Sequence, residues 1–194
     1  MRFSWTLVAL IVLVAIRIVL TRLRRKRNSP SDQQTTKRDA RPETYSGLRN
    51  LILQGSRQKF GLPPASPAEP FGVLMDWGVS SGTASVVAMA DGTASIYFSS
   101  GGGYLGGGQK HEFIKAAAKK TVEAAVEVLP LLHPTTTFPL PKAGTATFYV
   151  LTDGGVLTAT ATDDELRLQT GPFLRLGNAA QSIISQYRVL EKKK

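Results

Sequence analysis

Few side chains in this 194-residue chain could carry out chemistry, and they are scattered. There are no cysteines and two histidines, His111 and His133. That excludes disulfides, thiol nucleophiles, Cys-ligated zinc, iron–sulfur clusters and His-rich metal sites. His111 stands beside a glycine run, where an imidazole could act as acid or base, but no Ser or Asp is placed next to it by spacing. His133 lies in a proline-rich stretch with no partner either. Asp163, Asp164 and Glu165 are contiguous, whereas a calcium loop alternates its ligands with other residues. They read as a solvated turn.

The glycine run is the most distinctive segment. Gly101, Gly102, Gly103, Gly106, Gly107 and Gly108 surround Tyr104 and Leu105, between a strand pattern and a helix pattern. Backbone N–H groups in such a loop can receive a phosphate or a partner's backbone. Gly101, Gly103 and Gly106 satisfy G-x-G-x-x-G, yet a dinucleotide site also needs a parallel βαβ unit and an acid at the end of the next strand. Here the preceding strand belongs to a hairpin, and the candidate acids Glu123 and Glu127 fall inside a helix pattern. Gly101, Gly102, Gly103, Tyr104, Leu105 and Gly106 therefore read as a mobile partner-binding loop, with Tyr104 and Leu105 as its anchors.

Asp76-Trp77-Gly78-Val79-Ser80-Ser81-Gly82-Thr83 resembles the Asp-x-Gly-x-Ser/Thr hairpin with which actin-like ATPases hold phosphate and metal. The resemblance implies that Asp76 is a metal-side acid and that Ser80 and Ser81 contact phosphate. It covers this hairpin alone. Actin-like ATPases need two large lobes and further phosphate and adenosine motifs, for which this chain has no room. The competing reading is a polar hairpin turn with Trp77 packed beside it.

Charge is concentrated at the ends. Residues 1–41 hold ten Lys/Arg against Asp32 and Asp39, so +8 of the formal +10 lies there, and Lys192, Lys193 and Lys194 add three more positives. The middle is near neutral, unlike a nucleic-acid binder with a basic folded face. Residues 3–20 are apolar except for Ser4, Thr6 and Arg17, and a helix of that length spans roughly 27 Å, close to a bilayer's hydrocarbon core. Arg22, Arg24, Arg25, Lys26 and Arg27 follow directly. The positive-inside rule then predicts an N-terminus outside and a domain on the cytoplasmic side, and the basic cluster suits anionic headgroups. A cleaved signal peptide would place the charge before the apolar run instead. Residues 28–43 are polar and poor in large apolar groups, the composition of a flexible tether.

The elements that must position these residues follow from periodicity. Thr44 can cap a short helix carrying Tyr45, Leu48, Leu51 and Ile52. Residues 71–76, 83–90 and 93–99 alternate as strands, and Asp91-Gly92 predicts a two-residue hairpin between the last two. Residues 109–129 form an amphipathic helix with Ile114, Ala117, Ala118, Thr121, Val122, Ala125, Val128 and Leu129 on one side. Proline-rich residues 131–144 cross irregularly. Residues 145–151 and 156–162 make a second hairpin. A last helix begins at Asn178, with Gln181 completing a capping box and Ala180, Ile183, Ile184, Tyr187 and Leu190 as its stripe.

Two hairpins and three amphipathic helices predict an α+β domain with a mostly antiparallel five-stranded sheet flanked by about three helices. The element order is similar to profilin-like and roadblock-like folds, whose members mostly serve as interaction platforms. The chain thus divides into a transmembrane anchor (1–21), a basic tether (22–43), an α+β domain (44–191) and a basic tail (192–194). The expected function is that of a single-pass membrane protein whose cytoplasmic domain binds another protein without catalysis. The alternative is a nucleotide-binding or hydrolysing domain using residues 76–81 or 101–108. No cofactor, metal or nucleic-acid partner is expected, and an oligomer is compatible with the sequence.

Overall fold

The segment Gly-Val-Leu-Met-Asp-Trp-Gly-Val is apolar on both alternating faces, and a strand of that kind needs cover on both sides. The computed structural model describes residues 36–167 and 171–192, with side-chain surroundings from Thr44 onward. In chain order the elements are α1 (Thr36–Leu53), β1 (Gly72–Val79), β2 (Gly82–Met89), β3 (Ala94–Phe98), β4 (Gly103–Tyr104), α2 (Glu112–Val128), β5 (His133–Thr135), β6 (Thr145–Thr152), β7 (Gly155–Thr162), α3 (Asp163–Arg167) and α4 (Leu174–Glu191). Short 3-10 turns at Gly107–Gln109 and Leu129–Leu131 bracket α2. The compact unit is Arg41–Lys194.

The sheet has seven strands in the order β4-β3-β2-β1-β6-β7-β5, antiparallel throughout, with β1 at its centre. Strand alternation sends Val73 and Met75 to one face and Leu74 and Asp76 to the other. Residues Val73, Met75, Val86, Ile96, Phe148 and Val150 pack under α2 and α4. On the opposite face Leu74, Val87, Met89, Tyr97, Tyr149 and Leu151 pack with Tyr45, Ile52 and Leu53 of α1. The alanines of α2 at 117, 118 and 125 are buried beside Ile114, and small side chains let that helix lie close to the sheet. Burying Ile114 completely stabilises by about 2 kcal/mol.

The fold class is α+β and the sheet antiparallel, but the strand number is seven rather than five. Both extra strands are short edges made from segments that read as loops. β5 contains Pro134, and an edge strand tolerates the missing N–H because one side of it has no neighbour. β4 comes from the glycine run, whose backbone can lie flat against β3. The helix count among the described residues is four, because Asp163, Asp164 and Glu165 start a five-residue helix instead of a turn.

Three local features also differ. α1 begins at Thr36, eight residues before Thr44. The turn after β2 spans residues 90–93 instead of two. Gly92 N–H bonds Met89 O at 2.9 Å, Gly92 has φ +91°, and Met89 N–H bonds Thr93 O at 2.9 Å, a turn closed by one left-handed glycine. α4 starts at Leu174, a full turn before Asn178, so Asn178 and Gln181 form no capping box. Gly177, inside α4, is a packing glycine, where a Cβ would press on Leu166 Cδ2 at 2.9 Å.

A capping box does exist at α3. Glu165 Oε2 accepts from Thr162 N–H at 2.7 Å, and Thr162 Oγ1 accepts from Glu165 N–H at 3.2 Å. The expected anchor at 1–21 and most of the tether lie outside the described residues. Among the described residues no helix is long and apolar enough to cross a membrane.

Candidate functional site

The glycine segment is paired along the edge of the sheet. It reverses at Gly101 and Gly102, then Gly103 and Tyr104 pair with Tyr97 and Ile96 of β3. A Cβ on Gly103 would overlap the Ile96 carbonyl oxygen, so only glycine allows so close an approach. Gly106 N–H then bonds Ser95 Oγ at 3.1 Å, and Gly107 N–H bonds the Tyr187 hydroxyl at 2.9 Å. That hydroxyl in turn donates to Ala94 O at 2.9 Å. Tyr187 thus ties α4, β3 and the glycine segment together. Burial pushes its phenol above the ordinary value of 10.0, against the opposing pull of the Gly107 N–H.

Tyr104, expected as a free anchor, stacks on Tyr187 with ring centroids 4.8 Å apart and planes at 26°. It is half-buried because the strand pairing fixes its backbone and α4 supplies a flat aromatic face. Leu105, by contrast, is 66% exposed. Tyr104 and Leu105 line an open hollow of about 540 Å³ together with Lys110, His111, Leu190 and Glu191. A second cavity, of about 320 Å³, is lined by Trp77, Ile96, Phe98 and Ile184 and shares Tyr104 and Tyr187 with the first. Two concave apolar hollows therefore meet at one aromatic stack. His111 precedes α2 with an extended backbone (φ −135°, ψ 107°), makes no capping bond, and lies 5.5 Å from the Phe113 ring.

Asp76, Ser80 and Ser81 are not brought together. Ser80 and Ser81 form the exposed tip of the β1–β2 hairpin. Asp76 lies four residues back, roughly 13 Å along the strand, and is wholly buried on the α1 face. Its Oδ2 accepts from Arg49 Nε at 2.7 Å, and Arg49 Nη2 lies 2.6 Å from the same oxygen. Its Oδ1 accepts from Ser85, directly opposite on β2, and the Ser85 hydroxyl shares a 2.8 Å hydrogen bond with Tyr45. Arg49 also sits 5.4 Å over the Tyr149 ring. Burial raises the Asp76 carboxyl above its ordinary value of 3.8, and Arg49 and Ser85 pull it back down.

Arg49, Ser85 and Tyr45 carry no motif, so sequence reasoning passed over them. Two signals were present: an aspartate inside an otherwise apolar strand, and Tyr45, Arg49 and Ile52 spaced along one side of α1.

The remaining candidates have structural partners or none nearby. Asp163 Oδ1 accepts from Trp77 Nε1 at 2.7 Å. Glu165 belongs to the capping box, and the Thr162 N–H holds its carboxyl below the usual value. His133 is exposed on the edge strand β5. Among the described residues no group of three or more His, Asp or Glu is arranged to hold a metal ion. The headgroup candidates Arg22, Arg24, Arg25, Lys26 and Arg27 lie outside the described residues. No family model matches this chain, and no curated protein or solved structure matches it either.

Proposed function

We propose that this chain is a single-pass membrane protein that displays a protein-binding domain on the cytoplasmic side and carries out no reaction of its own. Residues 1–21 are its anchor, and Arg22, Arg24, Arg25, Lys26 and Arg27 its contact with anionic headgroups. The observation that carries the binding half is the pair of cavities, about 540 and 320 Å³, meeting at the Tyr104–Tyr187 stack. A partner's large side chains seat in hollows of this kind, and rigid aromatic walls lose little entropy on contact. Leu105 at the rim supplies an apolar group of the domain's own.

Site-specific photo-crosslinking on the full chain in its membrane tests this reading. A crosslinker at Leu105 is expected to capture a defined protein, while one at Leu140, 52% exposed on the 131–144 crossing, is not. Leu105→Glu is expected to abolish the adduct of a crosslinker placed at Leu190. Equal capture from Leu105 and Leu140, or none from either, would sink the idea. The lack of cysteines makes single-thiol accessibility a clean measure of topology. A nucleotide that raised the melting temperature by several degrees would favour the nucleotide-binding alternative.

A further inference from the structure

Among the described residues, α1 is the one helix on its face of the sheet, and it is fastened there by unusual means. Its buried side chains are Tyr45, Arg49, Ile52 and Leu53, while Leu51 is 61% exposed. Four apolar groups, Tyr45, Leu48, Ile52 and Leu53, and a guanidinium hold α1, whereas α2 on the opposite face is held by seven buried apolar side chains, four of them alanines, with no buried charge. The guanidinium is buried and committed to Asp76: Arg49 Nε and Nη2 lie 2.7 and 2.6 Å from the same carboxylate oxygen, Oδ2. A buried ion pair gives back in attraction little more than it loses in desolvation, and it serves register better than stability.

Separating α1 from the sheet returns both Arg49 and Asp76 to water, which offsets much of the lost apolar contact. The chain just beyond α1 is secured independently. Arg57 Nε bonds Asp153 Oδ2 at 2.9 Å, its Nη2 bonds Glu69 O at 2.8 Å, and Phe71 N–H bonds Leu151 O at 2.9 Å. The break between a loosely held helix and a firmly held connector falls at Gln54 and Gly55.

We propose that the 44–53 part of α1 is a detachable strap, which undocks as a unit while the seven-stranded sheet with α2 and α4 stays folded. Its latch is the Arg49–Asp76 pair with Ser85 and Tyr45. Undocking bares Leu74, Val87 and Tyr149 and frees a ten-residue helical segment about 15 Å long between the sheet and the preceding chain. The inference does not depend on what residues 1–35 do or on the partner reading above.

Hydrogen–deuterium exchange on the full chain in a mild detergent tests it. Amides of 44–53 are expected to exchange at least tenfold faster than those of β1 and β6, with a weaker dependence on urea. Arg49→Met with Asp76→Leu is expected to slow exchange of 44–53 at least tenfold, because it removes the charges that water recovers. Asp76→Asn is expected to speed it at least tenfold. A second measurement leaves the latch intact: in this cysteine-free chain, a thiol at Val87→Cys, beneath α1, should label at least ten times faster than one at Ala146→Cys beneath the other face. Coincident exchange of 44–53 with β1 and β6, or equal labelling of the two thiols, would overturn the proposal.

Discussion

The Tyr187 hydroxyl accepts the Gly107 N–H at 2.9 Å and donates its own O–H to Ala94 O at the same distance, so one side chain of the last helix closes the glycine segment onto β3. Tyr187→Phe keeps the ring stack on Tyr104 and leaves a buried donor and acceptor without their partner. A loss of about 1–3 kcal/mol is expected, measurable as a lowered urea midpoint with an unchanged slope.

Alkaline titration should expose the same contact. Tyr45, Tyr97, Tyr149 and Tyr187 all have phenols raised above 10.0, in each case chiefly by burial. The folded state binds these protons more tightly than the unfolded chain. Their stabilisation is complete below pH 10 and is lost as pH rises through the folded values. Stability measured from pH 9 to pH 11.5 should fall, and Tyr187→Phe should flatten part of that fall.

The glycines are expected to rank by what a methyl group would strike. A Cβ at Gly108 would overlap the Gly92 carbonyl, which is backbone, and one at Gly107 would overlap the Tyr187 hydroxyl. Gly102 has open space around it but a φ of +85°. Gly108→Ala should cost most, about 3 kcal/mol, with Gly107→Ala next. Gly102→Ala should cost about 1 kcal/mol, from backbone strain alone. Thermal melts of the three variants would check the order.

Asp76→Asn leaves the buried Arg49 charge uncompensated and should destabilise by about 3–5 kcal/mol. Arg49→Met with Asp76→Leu should recover most of that loss, since an apolar pair needs no desolvation. Denaturant unfolding of the single and double variants measures both. If the double variant were as unstable as the single one, the pair would be a true stabiliser.

At the start of α3, Thr162→Ala should cost about 1 kcal/mol through loss of the cap. The Glu165 carboxyl is depressed by the Thr162 N–H, so its contribution is present above pH 4.5 and is lost as pH falls through the folded value. Comparing the acid limb of the stability curve for the natural chain and for Glu165→Gln isolates it.

The strands and helices that bury one regular face were legible from residue order. The stripe of Ile114, Ala117, Ala118, Val122, Ala125 and Val128 follows from a 3.6-residue period, and the two main hairpins follow from period-two alternation broken by Asp-Gly pairs. The edge pairing of the glycine run was not legible because glycine has two uses that look alike in sequence. It can loosen a chain, or it can let two backbones touch.

The partnerships between distant residues were not legible. Asp76 and Ser80 are four residues apart in sequence, yet β1 carries Asp76 roughly 13 Å back under α1 while Ser80 stands at the hairpin tip. Arg49 finds Asp76 only because β1 is central and α1 crosses above it. Sequence by itself determined the α+β class, the antiparallel sense and the apolar faces, because those depend on local periodicity. Tertiary structure alone decided that the glycine segment is an edge strand pinned by Tyr187 and that Asp76 is buried against Arg49 of α1. Both depend on which distant surface each residue meets, and no spacing along the chain encodes that.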